Sequence, residues 1–402
     1  MKVLFVCQYF YPEVFRGNDI AFHLAEKGHD VHVVTGIPNY PAGKFYEGYG
    51  IFGKHHEVVN GVKVTHLPIF PRGNNKIMLM LNYFSYMLVG CLYMLWHAMW
   101  NKYDMVFCQQ LSPVMMSAPA ILYKKARKVP LYTWVLDLWP ESLTAAGGIS
   151  NKNILFFFDW FVKKEYKWSD KILTSSRSFD QSILTYGKYK NKIIYYPQWS
   201  DGAEVSKRHQ NLPIPSLPEG FIVMFAGAVG EAHGMDCNLQ AALLAKEYKN
   251  IKWVIIGDGR KLPWVRDYVQ KHKLEDTVYI FGSFPSETMP MFFEKADVML
   301  VSLADSPLFN LYAPAKISSY MANGKPIIAC LNGEGCEVVR DAECGWSVNA
   351  GDAKGLAELV IKLSCMDTDI LKKKGKNARK YYTEHFMKEK CLKELDKIIG
   401  ID

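Results

Sequence analysis

The chain has no CxxC pair, no HExxH or HxxxH arrangement, no GxGxxG joining a strand candidate to a helix and no low-complexity tract. Each absence removes a class of protein. The nine cysteines are scattered and odd in number. That pattern argues against a disulfide framework or a zinc site and suits a reducing cytoplasm. Gly48-Tyr-Gly-Ile-Phe-Gly53 has the glycine spacing but neither follows a strand candidate nor opens a helix, so a dinucleotide-dependent dehydrogenase is disfavoured. The DxD sequence Asp367-Thr-Asp369 lies in a polar stretch near the C-terminus and reads as a surface turn. No metal and no cofactor are therefore expected. Met1-Lys2 is followed by only Val3–Cys7 before polar residues appear. That run is too short for a secretory signal and reads as a buried first strand.

What is present is enough for two cores. The chain has 402 residues, 49% of them hydrophobic, which suits two domains of about 200 residues each. Charge is unevenly placed. Residues 1–200 hold 22 Lys and Arg against 13 Asp and Glu, whereas residues 201–402 hold 26 against 27. Basic clusters occur at Lys124, Lys125, Arg127 and Lys128, and at Lys163, Lys164 and Lys167. Anionic lipid headgroups or nucleic acid would explain them, and so would ordinary solvated helix faces.

Both halves alternate strand and helix. Val3–Cys7, Val31–Thr35, Val62–Ile69, Met105–Cys108, Leu131–Leu136 and Lys171–Thr174 are strand candidates in the first half. Phe221–Ala226, Lys252–Ile256, Val278–Phe281, Val298–Val301 and Pro326–Cys330 repeat the pattern in the second, with a helix expected over Leu239–Lys249. Continuous Val/Ile/Leu runs separated by helices mean parallel sheets covered on both faces, hence an α/β protein. Between the halves, residues 211–220 hold three prolines and a glycine, and read as a linker. One long amphipathic helix is expected from about Ala378 to Ile399.

Ile77 to Trp100 contains no Asp, Glu, Lys or Arg. Its length allows a membrane span. It lies between two strand candidates of one sheet, however, where a crossover helix is required. A buried crossover helix and a helix lying in a bilayer interface are the two readings that remain.

Ligands of open α/β sheets bind beyond the carboxyl ends of the strands. Three glycine-bearing loops fall there: the one with Gly17, Gly227-Ala-Val-Gly230, and Gly257-Asp-Gly259-Arg260. Each is either a tight turn or an anion cradle; three together point to a nucleotide. Arg260 and Lys316 could neutralise a departing diphosphate in place of a metal. Asp137 and Glu141, in Trp134-Val-Leu-Asp-Leu-Trp-Pro-Glu-Ser142, could take or orient an acceptor hydroxyl, or cap the next helix. Glu13 is a further acid of either kind. Glu334, flanked by glycines, either reaches a ligand or belongs to a turn.

Taken together, these pieces resemble the family 4 glycosyltransferases of the GT-B fold, and within them the amino-sugar (L-fucosamine type) transferases of O-antigen and capsule biosynthesis. The residues that carry the resemblance are Gln8-Tyr-Phe-Tyr-Pro-Glu13, Gly28-His-Asp-Val31, Thr35-Gly-Ile-Pro-Asn-Tyr-Pro41 and Asp137-Leu-Trp-Pro-Glu-Ser142 in the first half. In the second they are Gly257-Asp-Gly-Arg260, Phe281-Gly-Ser-Phe-Pro285, Pro314-Ala-Lys316, Tyr320-Met-Ala-Asn-Gly-Lys-Pro326 and Asn332-Gly-Glu-Gly335.

The resemblance implies two Rossmann-like domains with parallel sheets facing across a cleft. Residues 1–200 would hold the acceptor and residues 201–379 the nucleotide sugar, with a helix at about 380–402 crossing back onto the first domain. It implies a UDP-linked donor, a lipid-linked saccharide acceptor at the inner face of the cytoplasmic membrane, retention of configuration, and no nucleic-acid partner. Gly17, Gly230, Arg260 and Lys316 match diphosphate-contacting positions, Ser283 and Phe284 the segment that meets the base, and Pro314 and Glu334 the donor loops. Asp137 and Lys316, with Glu141, are the expected catalytic residues. Two departures stand out: Leu311 and Ser319 occupy the family's Glu-x7-Glu positions, and Ala228 and His233 replace its usual Arg and Lys. A sugar-nucleotide epimerase of the same fold and a non-catalytic membrane-surface scaffold remain as alternatives.

Overall fold

A computed structural model describes residues 1–145, 151–200 and 214–401. Residues 211–213 of the expected linker lie outside the described residues. The chain divides into two compact units, Met1–Tyr196 and Pro197–Asp402.

The first unit is built on an eight-stranded sheet in the order β3-β4-β2-β1-β5-β6-β7-β8. Its strands are β1 (Lys2–Val6), β2 (Asp30–Gly36), β3 (His56–Val59), β4 (Val62–Leu67), β5 (Met105–Gln110), β6 (Leu131–Val135), β7 (Lys171–Thr174) and β8 (Ile193–Tyr195). All pairings are parallel except the β3–β4 hairpin at one edge. The helices are α1 (Arg16–Glu26), α2 (Lys76–Trp100), α3 (Ala118–Arg127), α4 (Glu141–Ala145), α5 (Lys152–Trp168) and α6 (Phe179–Ile183). The central strands are apolar at nearly every position because helices cover both faces, leaving no solvent side to pattern.

The charge-free segment forms the crossover from β4 to β5. Asn82, Tyr86, Gly90, Met94, His97 and Ala98 lie on its buried face. Gly90 is spent on the approach to α3, since a Cβ there would stand 2.7 Å from Pro119 Cγ. The opposite face of α2 exposes Ile77, Leu81, Leu88, Leu92, Trp96 and Trp100. The helix is thus apolar on its exposed side as well as where it packs on the sheet. Among the described residues it is the helix long and apolar enough to cross a membrane, yet it packs on a continuous sheet.

The second unit carries a six-stranded, all-parallel sheet in the order β11-β10-β9-β12-β13-β14. The strands are β9 (Phe221–Ala226), β10 (Ile251–Ile256), β11 (Val278–Gly282), β12 (Val298–Ser302), β13 (Ile327–Cys330) and β14 (Gly345–Val348). This order is the doubly wound arrangement in which chain direction across the sheet reverses between the first and fourth strands. Its helices are α7 (Met235–Leu244), α8 (Leu262–Lys271), α9 (Met289–Lys295), α10 (Ala315–Ala322), α11 (Glu334–Asp341), α12 (Ala353–Ser364), α13 (Thr368–His385) and α14 (Lys388–Ile399).

Four expectations are corrected. The helix expected at Leu239–Lys249 begins earlier, at Met235, because the chain enters it directly from Gly234 in a left-handed conformation. The single C-terminal helix is two: Met387 pairs with Ser200 in a parallel bridge, which interrupts helical bonding between α13 and α14. Asp367 is not part of a loose turn, since its carboxylate accepts from the Asp369 N–H and caps α13. Gly17 is not in the loop after β1 but is the second residue of α1.

Candidate active site

In the second unit the loops after β9 and β10 lie against each other backbone to backbone. Gly227 N–H donates to Ile256 O at 2.9 Å and Val229 N–H to Asp258 O at 2.9 Å. A Cβ on Gly257 would stand 1.9 Å from Gly227 O, and one on Gly259 would stand 2.2 Å from Val229 O. These glycines are therefore required by loop-on-loop packing, which brings two sets of strand-end amides together. The β9 loop is also tied to β12. Ser302 Oγ donates to His233 O at 2.8 Å and accepts from Asn238 Nδ2 at 2.8 Å.

Lys316 is the second residue of α10. Its ammonium is buried, has no hydrogen-bond acceptor, and sits 3.8 Å from the centroid of the Phe225 ring. A Cβ on Gly227 would come within 3.2 Å of Nζ, so the glycine keeps this space open. One turn further along α10, Tyr320 Oη accepts from Ala226 N at 3.0 Å and donates to Ala226 O at 2.9 Å. That double bond fixes α10 to the end of β9 and aims Lys316 at the loop that follows. Burial lowers the Lys316 ammonium from 10.5 to about 7. Burial and then the charge of Lys316 hold His233 down at about 4, against an opposing hydrogen bond that the imidazole donates to the Gly230 carbonyl.

The other expected donor residues spread around this centre. Gly230 precedes the short turn at Glu231–His233. Arg260 is exposed at the end of the β10 loop. Its neighbour Lys261 is engaged with Asp236 and with Glu231 at 3.3 Å. Ser283 is exposed just beyond β11, and Phe284 is half-buried, its ring 4.9 Å from that of Phe292. Pro314 precedes α10, and Glu334, fully buried, opens α11. A Cβ on Gly335 would stand 3.2 Å from Pro314 Cδ, so the starts of α10 and α11 are adjacent.

In the first unit the loops after β1, β2, β5 and β6 contain the cis bonds Tyr11-Pro12, Tyr40-Pro41, Ser112-Pro113 and Trp139-Pro140. Glu13, buried, accepts from the Asn39 and Tyr40 N–H groups at 2.7 and 2.6 Å, joining two of these loops. Burial raises its carboxyl from 4.5 to about 7, against those backbone bonds and the charge of Arg72. Arg72 Nη1 donates to Tyr9 Oη at 2.9 Å, and its guanidinium lies 5.4 Å from the Tyr40 ring and 5.7 Å from the Tyr83 ring. Tyr83 in turn senses the charge of Asp137.

Asp137 is half-buried and accepts from the Trp139 indole at 3.2 Å and from Ser142 Oγ. Glu141 is turned toward α6, where it accepts from Ser182 Oγ at 2.6 Å. Buried amide oxygens of Gln8, Gln109 and Gln110 have no hydrogen-bond partner at the adjacent ends of β1 and β5. A Cβ on Gly17 would stand 2.1 Å from Gln109 Oε1, so Gly17 serves the packing of α1 on β5.

Sequence reasoning did not single out Tyr320, Phe225 or Arg72. Arg72 had a signal: it is the basic residue of Pro71-Arg-Gly-Asn-Asn75, directly before the charge-free helix. Among the described residues, no group of three or more His, Cys, Asp or Glu is placed to hold a metal ion.

Residues 220–365, spanning the Lys316 centre, match the family model for glycosyl transferases group 1. The chain is homologous to these transferases. It is 25% identical over 258 residues to WcaL of Escherichia coli, named as a colanic acid biosynthesis glycosyltransferase, covering 62% of this chain and 61% of that protein. It is 22% identical over 227 residues to the amylovoran biosynthesis glycosyltransferase AmsK of Erwinia amylovora, covering 56% of this chain and 54% of that one. The matched segment thus spans 61% and 54% of these relatives' lengths.

Solved structures extend the fold over the whole chain. Sucrose-phosphate synthase of Thermosynechococcus elongatus superposes with a TM-score of 0.75 at 14% identity, over 99% of this chain and 98% of that one. HepE of Anabaena, solved with UDP and glucose, does so with a TM-score of 0.67 at 15% identity, over 100% and 99%. The fold is GT-B.

Proposed function

We propose that this protein is a glycosyltransferase that moves a sugar from a UDP-linked donor to a lipid-linked saccharide during surface polysaccharide synthesis. The observation that carries the reading is the buried, acceptor-less ammonium of Lys316 at a strand-end loop of a group 1 transferase domain. A buried cation without a partner is costly and is retained where an anion completes it. A diphosphate supplies that anion. The names of WcaL and AmsK support a role in polysaccharide synthesis, and the UDP in HepE supports the nucleotide. The N-acetylated amino sugar and retention of configuration rest on the sequence motifs.

In this mechanism the donor diphosphate lies against the amides of the β9 and β10 loops, with Lys316 and Arg260 neutralising charge that grows as the C1–O bond breaks. The acceptor oxygen forms the new C1–O bond on the same face, and its proton passes to the departing phosphate. Asp137 orients that hydroxyl. The partnerless amide oxygens of Gln8, Gln109 and Gln110 suit sugar hydroxyls, which donate. Glu141, held by Ser182, supports the Asp137 loop from behind.

The acceptor would be met at the inner surface of the cytoplasmic membrane. Support comes from the exposed apolar side of α2 and from α5, where Phe156 and Trp160 are exposed beside Lys163 and Lys167. Aromatic residues with nearby lysines suit the interface of an anionic bilayer.

The test is a transfer assay with UDP-N-acetylamino sugars and lipid-linked saccharides extracted from membranes, reading label in the lipid fraction and UDP released. Wild-type protein should give both. The Lys316→Ala variant should give neither, while remaining folded by circular dichroism. Equal turnover by that variant would remove Lys316 from the mechanism.

A further inference from the structure

Away from the strand-end loops, the first unit holds a pocket of about 560 Å³ between the β3–β4 edge, β2 and the C-terminal end of α2. A chain of hydrogen bonds runs to its lining. Asn101 Nδ2 contacts His97 Nδ1 at 3.1 Å. An amide nitrogen can only donate, so Nδ1 accepts and the His97 proton is on Nε2. Nε2–H then donates to Tyr103 Oη at 2.9 Å. Tyr103 Oη is also bonded to His32 Nδ1 at 2.6 Å, and His32 Nε2 to Thr65 Oγ1 at 2.9 Å. Thr65 Oγ1, which also bonds the Tyr93 hydroxyl, lies 3.2 Å from His56 Nδ1. The Asn101 amide thus sets the His97 tautomer, and the chain ends on His56, an exposed residue of the lining.

Two further donors share that lining. Lys63 is exposed and paired with Asp30 at 2.8 Å across an exposed bridge, a pairing weak enough to be exchanged for a ligand. Trp96 brings an exposed indole. Glu57 also lines the pocket, but its carboxylate is already committed to Lys54 at 2.6 Å, His66 at 2.7 Å and Tyr49 at 2.9 Å. Burial first, and then the charges that His97, Lys63 and His56 bring when protonated, against Asp30, hold the His32 imidazole at about 4.

We infer that this pocket binds a phosphate group, through the His56 imidazole, the Lys63 ammonium and the Trp96 indole. The exposed apolar end of α2, with Trp96, Met99 and Trp100, lies beside it, so a lipid phosphate and a soluble phosphate compound are the two sources of that chemistry. The inference does not depend on the transferase reading and would stand without it. A bound phosphate would also favour proton uptake by the imidazole network, so affinity should tighten as pH falls, by up to about tenfold per pH unit for one linked proton.

The experiment follows the histidine ring signals of the full chain by NMR. The probes are inorganic phosphate and, separately, dihexanoyl phosphatidylglycerol below its micelle concentration. A saturable movement of the His56 and His32 signals is expected, weakened about tenfold or more in Lys63→Ala and in His56→Gln. Response to inorganic phosphate alone assigns a soluble ligand; response to the short-chain lipid, with or without phosphate, assigns a headgroup. The inference is overturned if neither probe moves these signals, or if both variants, shown folded by thermal unfolding, respond as wild type does.

Discussion

The Lys316 ammonium lies 3.8 Å from the centre of the Phe225 ring, buried and without a hydrogen-bond acceptor. The ring face offers a cation–π contact, but this replaces only part of the hydration that the charge has lost. Lys316 is thus an element of stored instability in the free protein. Its folded pKa of about 7 lies below the ordinary 10.5. Below about pH 7 the folded state carries the full cost of the buried charge. As pH rises from about 7 to 10.5 the unfolded state binds the extra proton, so this contribution to stability improves. Replacing Lys316 by Met should raise the stability of the ligand-free protein at pH 6.5 by about 1–2 kcal/mol while abolishing transfer. Urea unfolding beside the transfer assay checks both halves.

Tyr320 reaches both the N–H and the C=O of Ala226. Tyr320→Phe removes the hydroxyl and leaves the β9 terminus without these partners. The cost should be about 1–3 kcal/mol, with weaker UDP binding because α10 no longer holds Lys316 in place. Denaturant unfolding together with calorimetry separates the two effects.

Glu165 of α5 is almost fully buried. Burial raises its carboxyl from 4.5 to about 8, only partly offset by Ser117. The folded state therefore holds a proton that the unfolded state has released between about pH 4.5 and 8. This contribution is fully present below pH 4.5 and is lost as pH rises through 8. Glu13, raised to about 7, acts in the same direction. Glu165→Gln should flatten the fall of Tm between pH 5 and 8.5 without changing UDP affinity. A scan of Tm against pH on both proteins is the check.

Glu13 joins two loops of the first unit through the Asn39 and Tyr40 amides. Glu13→Ala should release the segment after β2 and raise the KM for acceptor several-fold, leaving the Kd for UDP unchanged. Steady-state kinetics with varied acceptor, set against UDP titration, tests this split.

The two sheets were legible in the sequence because their inner strands are buried on both faces and read as unbroken apolar runs. The strands it does not reveal are edge strands. Strand β3 alternates in exposure, and β14 contains only Gly-Trp-Ser-Val, so neither shows a continuous run. Lys316 was legible as the cation opening a helix at a strand-end loop. What made it distinctive was not: Phe225 and Tyr320 meet it through the sheet and the helix, at sequence distances no local pattern reports. Gly257 was legible as a strand-end glycine, but not the packing that demands it, since its lack of a Cβ serves the contact with Gly227 O. Arg72 escaped notice because a single arginine in a Pro/Gly/Asn loop resembles any solvated turn until Tyr9, Tyr40 and Tyr83 are seen around it.

The most direct test is calorimetric titration of UDP, with a metal chelator present, at pH 6.5 and pH 8.5, on wild type and Lys316→Met. The account predicts binding to wild type that weakens at the higher pH, with net proton uptake at pH 8.5, because a free protein with Lys316 neutral must regain its proton to meet the diphosphate. It predicts weak binding with no such pH dependence in the variant. Equal affinities for the two proteins at both pH values would contradict it.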